Sequence, residues 1–139
     1  MSAEQTRAWI LSIDQGTTNT KALLVGHDGR AAFRASVPLT TTSPRPAWTE
    51  QNATELWQSV LAASKECVAW AAARGTSIAG VAICNQRETV IAWERATSAP
   101  LAPAILWQCR RSSELCEELR RNGREPFLRE RTGLGIDPL

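Results

Sequence analysis

No stretch of this sequence stays apolar for long. The longest run without a charge covers residues 96–109, 14 positions interrupted by Pro100 and Pro103, whereas a membrane-crossing helix needs ~20. Near the start, the apolar stretch covers only residues 8–13, too short for the core of a secretory signal. These absences argue against membrane and secreted classes, and a cytoplasmic protein is expected. The four cysteines, Cys67, Cys84, Cys109 and Cys116, form no CxxC pair. They are expected to be reduced, buried, small apolar residues rather than a disulfide or metal site. Histidine occurs once, at His27, in a turn-like segment with no partner in the pattern. Basic residues do not cluster: 16 Lys and Arg stand against 14 Asp and Glu, with no block that would grip nucleic acid. Internal repeats and low-complexity tracts are lacking as well.

What remains is an ordinary globular composition. The 139 residues are 43% apolar and 22% charged, enough for about one domain with its own core. Residues 8–13 and 20–25 are apolar runs separated by Asp14-Gln15-Gly16-Thr17-Thr18-Asn19, a polar segment rich in turn-formers. A second turn at residues 27–30 leads to residues 31–37, where Phe33, Ala35 and Val37 alternate with Arg34 and Ser36. The chain is thus expected to open with an antiparallel meander. After a loop at residues 40–48, Asn52 followed by Glu55 predicts a capping box. The helix beyond it carries Leu56, Val60, Leu61, Cys67, Val68, Ala71 and Ala72 at helical spacing and ends near Gly75. Residues 78–84 and 89–94 predict two further strands joined by Asn85-Gln86-Arg87-Glu88, and residues 105–107 a short extended piece. Ser112, Leu115, Cys116 and Leu119 predict a second helix, stopped by Asn122-Gly123. Pro126 suits the first turn of a third, ending at Gly133.

Three segments could carry chemistry. In the turn at residues 14–19 a strand delivers a carboxylate, a glycine and two hydroxyl residues, and successive backbone N–H groups in such a turn can cradle an anion. Asp14 would repel phosphate directly and makes sense beside it only with a divalent cation or its water between them. Lys21, one of two lysines in the chain, follows closely enough to balance charge. Arg87 and Glu88 offer donors and an acceptor suited to vicinal hydroxyls, and the indole of Trp107 could pack a carbon chain. Taken singly, each reads first as something plainer: a polar hairpin, a solvated ion pair or core packing.

Together they resemble the FGGY carbohydrate kinases. Asp14-Gln15-Gly16-Thr17-Thr18-Asn19-Thr20-Lys21 is similar to that family's first phosphate-binding motif. Asn85-Gln86-Arg87-Glu88-Thr89 and Ile105-Leu106-Trp107-Gln108-Cys109-Arg110-Arg111 resemble its glycerol kinase branch, as do Pro46-Ala47-Trp48-Thr49-Glu50-Gln51 and Thr132-Gly133-Leu134-Gly135-Ile136-Asp137-Pro138. The resemblance implies an α/β, actin-like, ribonuclease-H-like ATPase domain: a mixed sheet opening with an antiparallel meander, flanked by helices, and here incomplete. Residues 1–139 would be the N-terminal portion of the first of two domains. The implied activity is ATP-dependent phosphorylation of glycerol to glycerol 3-phosphate, with ATP and Mg²⁺. Thr17, Thr18 and Asn19 would bind ATP phosphates, Lys21 stands where the family usually has an arginine, and Asp14 would act on Mg²⁺ through water. Thr17, Arg87, Glu88 and Trp107 would contact the polyol. The general-base aspartate would lie beyond residue 139, so this chain alone is expected to be inactive, and the full-length protein is expected to self-associate. Leu139 stands where the glycerol kinase branch has a tyrosine, which keeps erythritol or another short polyol open as substrate. A non-catalytic module binding a nucleotide or a partner protein is the alternative of a different class.

Overall fold

A computed structural model describes residues 8–138. Three strands, β1 (Ala8–Gln15), β2 (Asn19–Val25) and β3 (Ala31–Pro38), form the expected antiparallel meander. β1 runs past the apolar stretch, so Asp14 and Gln15 are strand residues that pair with Lys21 and Thr20. A two-residue strand, β4 (Glu50–Gln51), precedes helix α1 (Ala53–Ala72), and β5 (Ser77–Asn85) returns to lie parallel to β1. The sheet order is β3-β2-β1-β5; β4 pairs instead with β6 (Ala104–Ile105) in a separate ribbon. Helices α2 (Ser113–Arg121) and α3 (Glu125–Thr132) follow, the latter with a proline in its first turn and Gly133 left-handed at its end.

One face of the sheet meets α1. Leu11, Ile13, Ala22, Leu24 and Ala35 pack against Ala63, Cys67 and Ala71 of the helix. The small helix residues let the backbones approach closely, and a fully buried side chain such as Leu24 contributes about 2 kcal/mol by leaving water. At the far end Trp70 stacks on Phe33 and takes Trp9 edge-on, with centroids at 5.6 and 5.9 Å. Asn52 caps α1 by accepting from the N–H groups of Thr54 and Glu55. The capping box is only half made, because Glu55 accepts from the Thr40 N–H and so ties the preceding loop to the helix start.

Three expectations are corrected. Residues 89–94 form no strand: Val90 pairs singly with Ile105 and Trp93 with Pro100. The facing segment contains Pro100 and Pro103, which cannot donate to a ladder. Cys84 is exposed on β5, unlike buried Cys67, Cys109 and Cys116. Trp107 lies in the turn after β6 rather than in an extended piece. Leu139 lies outside the described residues. Among those that are described, no helix is long and apolar enough to cross a membrane.

Candidate functional site

Two turns and one indole converge at the C-terminal end of β1 and β5. The first turn joins β1 to β2 through Thr17 and Thr18, closed by the Gly16 N–H donating to the Asn19 carbonyl at 3.1 Å. A Cβ on Gly16 would stand 3.0 Å from that carbonyl oxygen, so the close approach favours glycine. Favoured two-residue hairpin loops use positive φ to match strand twist. Neither Thr17 nor Thr18 has one, so this turn depends on support from outside.

That support comes from glutamine side chains. The Gly16 carbonyl accepts from Nε2 of Gln15 at 2.8 Å and of Gln86 at 3.1 Å. The Thr17 carbonyl accepts from Nε2 of Gln51 at 2.6 Å. Gln51, only 2% exposed, also reaches Thr41 Oγ1, and its Oε1 accepts from Gln86 Nε2 at 3.1 Å. Among the described residues, the N–H groups of Thr17 and Thr18 donate to no protein acceptor. Asp14 and Lys21 sit opposite each other in the strand register without forming an ion pair, and neither side chain has a hydrogen-bond partner among the described residues.

The second turn, residues 85–89, leaves β5 beside the first, with the Gln86 N–H bonded to the Gln15 carbonyl at 3.0 Å. Thr89 Oγ1 donates to Gln86 Oε1 at 2.8 Å, and Asn85 Nδ2 donates to the Gln86 carbonyl. Glu88 has φ of 64°, a left-handed conformation rare for a residue with a side chain. Arg87 and Glu88 are exposed and make no ion pair with described residues.

Trp107 completes the group. The Val90–Ile105 bridge brings its turn alongside, and its indole N–H donates to Thr17 Oγ1 at 3.0 Å while 39% of the residue stays exposed. Four residues further on, Arg111 donates to Glu50 at 2.7 Å and to Cys109 Sγ at 2.9 Å, with its guanidinium 3.8 Å from the centre of the Trp48 ring. Burial pushes the Cys109 thiol up, but the Arg111 hydrogen bond and charge outweigh it and hold the thiol below its ordinary range. The structure thus joins Thr17 to Trp107 directly and to the Arg87–Glu88 turn through Gln51 and Gln86. Sequence reading singled out none of Gln15, Gln51 or Gln86 as a site residue. Their position inside matched motifs was the available signal.

Chemically, the arrangement offers free N–H and hydroxyl donors beside one cationic and one anionic side chain, adjoining an exposed Arg–Glu pair and an indole face. The described residues hold no group of three or more His, Cys, Asp or Glu placed for a metal ion. Asp14 is nevertheless suited to an ion held mainly by phosphates and water, since Mg²⁺ commonly takes one or two carboxylates.

Residues 9–139 match the FGGY family of carbohydrate kinases, N-terminal domain. The chain is 45% identical over 129 residues to a glycerol kinase of Bacillus cytotoxicus, covering 93% of this chain and 26% of that protein. It is 48% identical over 130 residues to a glycerol kinase of Citrifermentans bemidjiense, covering 94% and 26%. The crystal structure of Plasmodium falciparum glycerol kinase with ADP superposes with a TM-score of 0.92 at 27% identity, covering 96% of this chain and 27% of that one. The chain therefore spans about a quarter of the length of these relatives.

Proposed function

This chain belongs to the FGGY family of carbohydrate kinases, and on that premise we propose that its two turns form one wall of a site for ATP-dependent phosphorylation of glycerol. The contact between Trp107 and Thr17 carries this reading, because it joins the residue suited to a polyol carbon chain to the turn suited to phosphate. The unpaired N–H groups of Thr17 and Thr18, with the Asn19 side chain and Lys21, receive the nucleotide phosphates. Arg87 donates to vicinal hydroxyls, Glu88 accepts from them, and Thr17 Oγ1 touches both substrates.

In the reaction the bond from the γ-phosphorus to the ADP oxygen breaks and a bond to the terminal glycerol oxygen forms. The hydroxyl proton leaves to a base outside this chain, which carries one wall of the cleft and belongs to the first of two domains. Mg²⁺, when bound, would spread the charge of the phosphates, and Asp14 would help hold it through water. The Gln51 and Gln86 network fixes where the donors point before the nucleotide arrives, so little reorganisation remains for the reaction step. A cytoplasmic, self-associating full-length protein belongs to the same reading.

A coupled ADP-release assay of the full-length protein on glycerol, erythritol and other short polyols tests it. Turnover is expected with glycerol, and none for residues 1–139 alone, because an open half-site leaves charges in water and cannot close. ADP release with another polyol and not glycerol would overturn the substrate. No polyol-dependent release at all would overturn the kinase reading.

A further inference from the structure

The two carbonyls of the phosphate turn face side-chain amides, and this decides where its N–H groups face. In a planar trans peptide the C=O of one residue and the N–H of the next point in opposite directions, and the described chain has no cis bonds. Gln86 and Gln15 hold the Gly16 carbonyl, which turns the Thr17 N–H away from them. Gln51 holds the Thr17 carbonyl, which turns the Thr18 N–H away in the same manner. The loop lacks the positive φ values that would match its shape to the strand twist, so these amides are what hold the carbonyls of its two peptide planes.

We infer that Gln51 and Gln86 are positioning residues which aim the Thr17 and Thr18 N–H groups at the nucleotide phosphates. The inference rests on the kinase reading above and extends it to residues remote from that turn in sequence. Gln51 is buried and fully engaged, with Nε2 on Thr17 and Thr41 and Oε1 on Gln86. Gln86 spends its Nε2 on Gly16 and Gln51 and its Oε1 on Thr89. The two amides thereby tie the phosphate turn to the turn that carries Arg87 and Glu88.

The test is steady-state kinetics of the full-length protein and of Gln51→Met, which keeps the volume and removes the donor. Gln86→Met is a second, less buried variant should the first fail to fold. Ala71→Gly, at the opposite end of α1, serves as a control that only destabilises. Either glutamine variant is expected to raise KM for ATP about tenfold, the scale of one charge-assisted hydrogen bond to phosphate lost when the turn's N–H groups are no longer aimed. The glycerol KM of Gln51→Met stays within about twofold, and the control lowers Tm with both KM values unchanged. Unchanged ATP KM in both glutamine variants, or equal shifts of the two KM values, overturns the positioning role and leaves the kinase reading intact. A wild-type protein that neither turns over nor binds ADP by calorimetry overturns both.

Discussion

The turns at residues 16–19 and 85–89 lie side by side yet solve the backbone problem in opposite ways. At Gly16 the chain uses glycine because a Cβ would crowd the Asn19 carbonyl. At residue 88 the left-handed φ of 64° favours glycine, and the sequence has glutamate instead. Holding a side chain in that region costs about 1–2 kcal/mol. A fold selected for stability alone would place glycine at both. On the proposed reading, the first turn serves through its main-chain N–H groups and the second through its side chains.

Changes that remove what each turn supplies should break that contrast most visibly. Asp14→Ala in the full-length protein is expected to lower kcat by ~10²–10³, the scale of one lost charge-stabilising group, with an unchanged circular dichroism spectrum. Normal turnover would remove Asp14 from the phosphate side. Arg87→Ala should raise glycerol KM ~10–100-fold through the loss of charged hydrogen bonds, leaving ATP KM within about twofold. Lys21→Ala should do the reverse, raising ATP KM about tenfold and weakening its dependence on salt. A variant series in which both constants always move together would show that the two turns do not divide the work.

The smallest effects sharpen the comparison from the stability side. Gly16→Ala should destabilise by about 1 kcal/mol or more, since the crowding atom is backbone and cannot swing away. Glu88→Gly should stabilise by up to about 1 kcal/mol as the strain is released while glycerol KM rises. Thermal melts read alongside glycerol kinetics check both. A drop in Tm for Glu88→Gly would mean that its conformation is not the strained one.

Much of this was legible locally. The meander follows from apolar runs cut by polar turns, and α1 from Asn52 and the recurring Leu56, Val60, Cys67 and Ala71. The charged and indole side chains of the site were legible through motifs. The supporting network was not, because Gln51 and Gln86 meet across 35 positions and Gln86 and Gly16 across 70, and no periodicity announces such contacts. The two-residue strand β4 is too short to leave a pattern. Residues 89–94 misled for the converse reason: Val90, Ile91 and Trp93 favour strands, but strand formation depends on a partner, and theirs contains two prolines.

The division of labour between the turns is tested most directly by a crystal structure of the full-length protein with ADP and glycerol. The account predicts phosphate oxygens within hydrogen-bond distance, about 3 Å, of the Thr17 and Thr18 nitrogens, and glycerol oxygens on Arg87 and Glu88 with Trp107 against the carbon chain. Phosphate bound away from the Thr17–Thr18 amides, or glycerol held without Arg87 and Glu88, would contradict it.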